Sequence, residues 1–318
     1  MNGPTDAARA EGRRRAAHPC FSERSGAFAR IHLPVAPRCN VRCGFCSRRY
    51  DCASEGRPGV TTKVVTPAEA AELFRRARSA LPNLSVAGIA GPGDALADFR
   101  RTRETFRLVR EIDGAVAFCL STNGLLLPRR ARELKELTVS HLTVTVNAVD
   151  PEIGARVCGR AVLDGERLAG PAAARAILEA QLEGIRLSLE LGFEIKVNCV
   201  CLKGVNDLHV EDVAAEMGRM GVSVFNVVRH IPVKGTPLGG LEAPGEGEIR
   251  ALRDRCARHL PQMRHCRRCR ADACGTLSSP EGAGAAAPLR ERARACGGPA
   301  AGRAAGPPGP LDRPCGPP

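Results

Sequence analysis

Apolar positions along this chain alternate between two rhythms. Short β-type runs occur at residues 31–36, 84–89, 116–120, 142–146, 194–200 and 222–228. Between them lie stretches with helical spacing at 67–81, 101–112, 128–137, 171–191 and 208–220. The stretch 171–191 is the most regular. Its Leu178, Leu182, Ile185 and Leu189 fall at i, i+4, i+7 and i+11, which draws one apolar stripe along a helix. Pro67 and Pro128 open two of the helical stretches, where a missing N–H costs nothing. Six strands separated by five helices predict an α/β fold with a parallel sheet and right-handed crossovers. Six units suit a partial (β/α)6 TIM-like barrel better than a closed barrel of eight. Around that barrel, spanning 31–245, residues 1–30 form a polar, Arg-rich extension and 246–277 a C-terminal segment. Residues 278–318 are mostly Ala, Gly, Pro and Arg, with little to bury, and are expected to be a disordered tail.

Composition narrows the class. The 318 residues are 43% apolar, enough for a core. No run approaches the roughly 18 uninterrupted apolar residues of a spanning helix. No charged start leads into an apolar run and a small-residue cleavage site. A cytoplasmic protein is expected, without a membrane partner. The formal charge is +13, yet only five of the 47 basic residues are lysines. Such a chain suits an anionic ligand or partner. Nucleic acid fits poorly, because there is no Trp and Tyr50 is the only Tyr, so bases would find little to stack on.

The fifteen cysteines change the picture most. A chain this long does not need disulfide staples, so metal or cluster ligation is the expected use. Four cysteines fall within 39–52 and three within 266–274. The loop after the first strand reads Cys39-Asn-Val-Arg-Cys43-Gly-Phe-Cys46, a C-x3-C-x2-C pattern. Three thiolates so close can hold three irons of a 4Fe-4S cube, leaving the fourth iron open to a small molecule. A zinc site would want a fourth ligand, which Cys52 can supply, so zinc stays open as the plainer alternative. The spacing, on this loop of a barrel, is the signature of radical S-adenosylmethionine (SAM) enzymes. In them the open iron chelates SAM, and an electron from the cluster cleaves its S–C5′ bond.

Other polar motifs end the later strands: Ala90-Gly91-Pro92-Gly93-Asp94, Ser121-Thr122-Asn123-Gly124, Thr145-Val146-Asn147 and Lys196-Val197-Asn198. Singly, each reads as a turn. Together they fall on the rim where barrel chemistry gathers. Cys20, Cys52, Cys119, Cys266 and Cys269 remain, with His32 in strand one. They suit one or two further iron–sulfur clusters at the barrel mouth. A lone His in an apolar strand reads first as a core residue; pointing inward, His32 would lie near Cys119.

With these stretches in place, the chain resembles the NifB family of radical SAM enzymes over most of residues 18–277. The matching stretches are His18-Pro19-Cys20, 31–37, 39–46, 49–52, 55–59, 90–94, 119–125, 147–151, 196–198 and 266–273. The resemblance implies an enzyme that builds the eight-iron precursor of the nitrogenase iron–molybdenum cofactor. Two auxiliary 4Fe-4S clusters are its substrates and are fused. One SAM methylates a cluster sulfide, and a second gives the 5′-deoxyadenosyl radical that abstracts hydrogen from that methyl. Further loss of hydrogens leaves a carbide, and one more sulfur is incorporated. The implied partners are iron–sulfur assembly proteins as donors, nitrogenase carrier and scaffold proteins as acceptors, and a ferredoxin or flavodoxin.

Carried over residue by residue, the resemblance assigns Cys39, Cys43 and Cys46 to the SAM cluster. Phe45, Gly91, Gly93, Asp94, Asn123, Thr145, Asn147, Val197 and Asn198 fall where the family binds SAM. Cys266 and Cys269, with Cys52, would hold one auxiliary cluster, and Cys20, Cys119 and His32 the other. Glu55 and Arg57 are candidates for proton handling and for balancing cluster charge, or else form a loop salt bridge. Two stretches depart from the family pattern: 153–170, with Cys158, and Arg229-His230-Ile231-Pro232. The Ala/Gly/Pro tail stands where many relatives carry a cofactor-carrier-like domain, which implies delivery to a separate carrier. Two other functions fit the residues alone: a radical SAM enzyme acting on a peptide or small molecule with clusters as electron relays, and a non-enzymatic iron–sulfur scaffold.

Overall fold

The computed structural model describes residues 18–22, 26–52 and 55–278. Most of the expected tail, with Cys296 and Cys315, and residues 1–17 lie outside the described residues. The strands are β1 (Ala29–His32), β2 (Val41–Arg42), β3 (Arg49–Tyr50), β4 (Val60–Thr61), β5 (Leu84–Ile89), β6 (Ala117–Thr122), β7 (Val139–Thr145), β8 (Arg160–Leu163), β9 (Glu166–Ala169), β10 (Glu194–Cys201), β11 (Val224–Arg229) and β12 (Cys274–Thr276). The helices are α1 (Pro67–Ala80), α2 (Phe99–Ile112), α3 (Leu127–Glu136), α4 (Pro151–Val157), α5 (Gly170–Glu190), α6 (Val210–Met220) and α7 (Glu246–Cys256).

The main sheet runs β11-β10-β7-β6-β5-β1-β12. Its first six strands are mutually parallel, and β12 is antiparallel to β1. This is the partial α/β barrel that the alternation of strands and helices predicts. Helices cover its outer face and a cavity occupies the inner one. Along β10, Ile195, Val197, Cys199 and Cys201 pack in the core while Lys196, Asn198 and Val200 line the cavity, the alternation that a strand with two different faces requires. Between helix and sheet the rings of Phe106 and Phe118 stack at 4.5 Å, with the Arg110 guanidinium 4.0 Å over the second ring. Helix α1 starts where Thr66 and Glu69 form a reciprocal capping box and Pro67 opens the first turn.

Several boundaries differ from the sequence pattern. Strand β1 covers 29–32 rather than 31–36, because Pro34 and Pro37 have no N–H to give a ladder. Leu33 N still donates to Gly88 O at 2.8 Å, so the chain stays beside β5 a little longer. Strand β7 starts three residues earlier than the apolar run. Ser140 and His141 are polar but buried, and Ser140 Oγ and His141 Nδ1 hydrogen-bond each other at 2.8 Å. Two elements occupy the stretch that departs from the family pattern: α4 and the β8–β9 hairpin. The hairpin turns through Asp164 and Gly165, both at positive φ, and lays β8 against β2 within the cysteine loop.

The C-terminal segment does more than follow the barrel. Phe225 N donates to Pro261 O and Met263 N to Phe225 O, each at 2.8 Å, so residues 261–263 join β11 at one edge. Residues 274–276 join β1 at the other edge. The stretch between them crosses the open side of the barrel. No helix among the described residues is long and apolar enough to cross a membrane.

Replacing Phe106 by Ala removes one ring of the helix–sheet stack, and should cost about 3–5 kcal/mol in guanidinium unfolding. Leu208→Ser, at a position 91% exposed, should stay within about 0.5 kcal/mol of the parent. Equal effects from the two would contradict the packing described.

Candidate functional site

The cysteine loop is fixed to the rim through its backbone. Ala36 O accepts from Gly93 N at 2.6 Å, and Arg38 O from Asp94 N at 2.7 Å. A Cβ on residue 93 would overlap the Arg38 carbonyl, so this glycine is required by the approach of the cysteine loop. The Asp94 carboxylate then gathers the next strand end. It accepts from Leu96 N at 2.9 Å, Thr122 Oγ1 at 3.0 Å and Asn123 N at 2.5 Å. Asn123 Nδ2 donates to Asn40 Oδ1 at 2.8 Å and lies 3.6 Å from Cys39 Sγ. Gln181, buried on α5, donates to Asn123 O at 2.7 Å and Thr145 O at 2.8 Å. Asn147 Oδ1 accepts from Val200 N at 2.9 Å, and Asn198 Oδ1 from Asn226 Nδ2 at 3.0 Å. The four rim motifs are thus joined into one polar network.

They surround a cavity of about 550 Å³. Cys39, Cys43, Cys46, Phe45, Gly93, Asp94, Asn123, Thr145, Asn147 and Asn198 all line it. Gly91 and Val197 do not, and the Val197 side chain packs in the apolar core instead. Cys20, His32, Cys119, Cys266 and Cys269 line the same cavity. Register brings His32 and Cys119 together: both pair with Gly88 of β5. A Cβ there would stand 3.2 Å from Cys119 Sγ and 3.4 Å from His32 Cδ2. His32 therefore points inward. Its Nδ1 lies 2.9 Å from Arg270 O; as donor there, it leaves Nε2 as the free lone pair. Burial first, then the nearby Arg30 charge, hold the imidazole down at about 4, so it is neutral at physiological pH. A neutral ring oriented by a backbone carbonyl is the usual setting of a metal-binding histidine.

Cys52 and Glu55 lie off the cavity. Arg270 holds their loop to the C-terminal segment. Its guanidinium donates to Cys52 O at 2.9 Å, to Glu55 O, and to the buried Asp272 carboxylate. Arg57 lines the cavity, pairs with Glu55, and donates to Ser47 O at 2.7 Å beside the cysteine loop. The loop salt bridge is therefore present in the fold.

The thiols differ from free cysteine. Burial pushes the Cys119 thiol up to about 12, and pushes Cys39 higher. A ligand that takes thiolates must displace these protons. Among the described residues no three His, Cys, Asp or Glu side chains stand close enough to share one metal ion. Ligands of a cube each take a different iron and need not converge. Three thiols on one loop, with an adjoining polar rim and cavity, fit a SAM-binding cluster. Cys158, Gln181, Gly88 and Asn226 are parts of the site that pattern reading missed. Cys158 Sγ lies 3.3 Å from Cys43 Sγ, and this contact, with burial, raises the Cys43 thiol. Its position in the stretch that departs from the family pattern was the one available signal.

The cysteine loop, rim and half-barrel define a class, and a family model agrees. The Radical SAM superfamily model matches residues 33–217, and the chain belongs to that superfamily. Within it, the resemblance to NifB proteins extends over most of the chain. The FeMo cofactor biosynthesis protein NifB of Klebsiella pneumoniae is 43% identical over 267 residues, 82% of this chain and 57% of that protein. That of Azotobacter vinelandii is 42% identical over 270 residues, 83% of this chain and 54% of that protein. This chain therefore spans somewhat more than half the length of these curated relatives. Among solved structures, methylornithine synthase (PylB) superposes with a TM-score of 0.51 at 15% identity. The match covers 82% of this chain and 72% of that one, a likeness of fold.

Gly93→Ala should displace the cysteine loop and remove about four irons per chain at Cys39, Cys43 and Cys46, leaving far-UV circular dichroism intact. Full iron in that variant would refute the close-approach account. The Asp272 carboxyl is pushed up by burial but pulled further down by Arg270 and Thr62 N, for a net lowering. Its contribution is therefore present above the unfolded carboxylate value and lost as pH falls through the folded one. Arg270→Met should cost about 3–5 kcal/mol near neutrality, and this deficit should shrink as pH falls below the ordinary carboxylate value of about 4. A deficit independent of pH would show that the ion pair is not its source.

Proposed function

We propose that this chain is a radical SAM enzyme of nitrogenase cofactor assembly. In this reading it fuses two 4Fe-4S clusters, its substrates, and inserts a SAM-derived carbide and an extra sulfur. The product is the eight-iron cofactor precursor. The observation that carries the reading is one cavity lined both by the Cys39–Cys43–Cys46 loop and by a second sulfur set: Cys20, Cys119, Cys266 and Cys269, with His32. An enzyme acting on an organic substrate has no need of a second set of cluster ligands in the SAM cavity itself. The relatives' names point the same way.

When bound, the cluster on Cys39, Cys43 and Cys46 supplies the electron that cleaves SAM. The chain's own residues supply the rest. Phe45, Thr145 and Asn198 line the cavity beside those thiols and would bind SAM, while Asp94, Asn123 and Gln181 keep the rim in shape. His32 offers a neutral nitrogen, a more easily released ligand than thiolate, which suits a cluster that must move. Arg57, 5% exposed, places a fixed positive charge beside the cysteine loop, where anionic ligands gather. In the same reading Cys52 completes one substrate site by movement of its loop, and Glu55 handles protons released there. The auxiliary-ligand segments at 18–20 and 266–269 act as extensions of the barrel core. Iron–sulfur assembly proteins would load the chain, a ferredoxin or flavodoxin would reduce it, and carrier and scaffold proteins would receive the product.

The test uses oxygen-free, iron–sulfur-loaded protein with SAM and dithionite and no organic substrate. S-adenosylhomocysteine together with 5′-deoxyadenosine is expected, since methyl transfer and radical cleavage both need only the clusters already aboard. 5′-Deoxyadenosine alone would overturn cluster fusion in favour of an absent organic substrate. Neither product would reduce the chain to an iron–sulfur scaffold.

A further inference from the structure

Lys196 stands in β10, 7% exposed, and lines the cavity. Its ammonium makes no ion pair among the described residues. It reaches Met263 Sδ at 3.8 Å and lies 5.8 Å from the centre of the Phe21 ring. A thioether and a ring face are weak partners for a desolvated ammonium. Glu194, two positions earlier on the same face of the strand, accepts from Ser223 Oγ at 2.6 Å. Asp272 is bound to Arg270. Lys196 shares the cavity with His18 and His32 and with four sulfurs, those of Cys20, Cys266, Cys119 and Cys269. The sulfurs arrive from three separate parts of the chain: the N-terminal segment, the C-terminal segment and β6. Two of them touch other polar groups. Cys266 Sγ accepts from Asn226 Nδ2 at 3.3 Å, and Cys269 Sγ from Arg30 Nη2 at 2.8 Å.

A buried cation without a carboxylate, ringed by cluster ligands, calls for an anionic occupant. A 4Fe-4S cube held by thiolates is such an anion, and two of them in one low-dielectric cavity repel each other. We infer that Lys196 is the cation on which the two substrate clusters meet, donating to their sulfur atoms and offsetting their mutual repulsion. The inference rests on the two-cluster reading above and adds to it a positioning residue that shares the cavity with both ligand groups. A lysine suits the task. Its compact charge sits on a flexible stem with three donors, and can follow sulfides as the cubes approach. Arg30, fixed between Cys269 and Gly275 O, cannot move in this way.

Wild type, Lys196→Met, Lys196→Gln and Lys196→Arg should be made in the full chain and loaded without oxygen. Iron per chain and cluster potentials are then read by chemical analysis and electron paramagnetic resonance before any turnover. Wild type should hold about twelve irons, three cubes of four. The Met and Gln variants should keep the SAM-cluster signal, with its change on adding SAM, as proof of folding. They should lose about half or more of the auxiliary iron, or hold it at a potential shifted to more negative values. Arg should restore the iron and most of the potential, because it restores the charge. Met and Gln variants with wild-type iron and unshifted potentials would overturn the role of Lys196 while leaving the two-cluster reading intact. If Arg fails as fully as Met, shape and not charge is at work, and the inference is overturned as well. Wild type holding only about four irons would sink the two-cluster reading itself.

Discussion

An open parallel sheet leaves two edges whose backbone groups need partners, and this one is satisfied at both by the same short segment. Residues 261–263 bond β11, and β12 bonds β1. An exposed edge is an aggregation hazard, and buried N–H and C=O groups without partners are costly. The chain that caps both edges must cross the gap between them. Cys266 and Cys269 lie on that crossing. Both thiols therefore reach the cavity through the same hydrogen bonds that finish the sheet. Pro19 O, accepting from His265 Nε2 at 2.9 Å, ties the N-terminal segment and Cys20 to the same crossing.

A second layer of constraint holds the rim. Loops at the ends of parallel strands carry many backbone donors, and here buried side chains meet them. Asp94 binds the β6 end, Gln181 bridges the β6 and β7 ends, and Asn206 Nδ2 bonds Asn147 O and Val200 O, each at 2.9 Å. These acceptors and donors are buried, so breaking one leaves its partner unsatisfied as well. That asymmetry keeps the cysteine loop in one place before any cluster is present. Arg270 does the same for the loop of Cys52 and Glu55, with its charge matched by Asp272.

Much of this was legible in the sequence, and the reasons for the rest are physical. The six parallel strands and five long helices announce themselves by period, because burial on a sheet face or a helix stripe is a local pattern. The three-cysteine loop is local too. The β8–β9 hairpin is not, since its strands are four residues each, largely exposed or half-buried, and without a regular alternation. Strand β12 has three residues and no apolar pattern of its own. The meeting of His32 with Cys119 is a matter of register: it depends on both residues pairing with Gly88, whose lack of a side chain leaves them room. Glu55 and Arg57 occur two apart in sequence, and only the fold shows their charges joined. Gly93 looked like a ligand-facing glycine, and its closest neighbour is the backbone of Arg38.

The electrostatics of the cavity bear on how it is filled. Burial raises Cys39 and Cys119 well above the ordinary thiol value, so near neutrality their sulfurs carry protons. A protonated Cys119 gives Lys196 little to balance its charge. In the reading proposed above, loading an anionic iron–sulfur cluster would expel thiol protons and supply the missing anion together. Cluster binding would then favour the folded, loaded chain twice over, through the metal–sulfur bonds and through the relief of a buried cation. A chain built this way gains stability from its cargo.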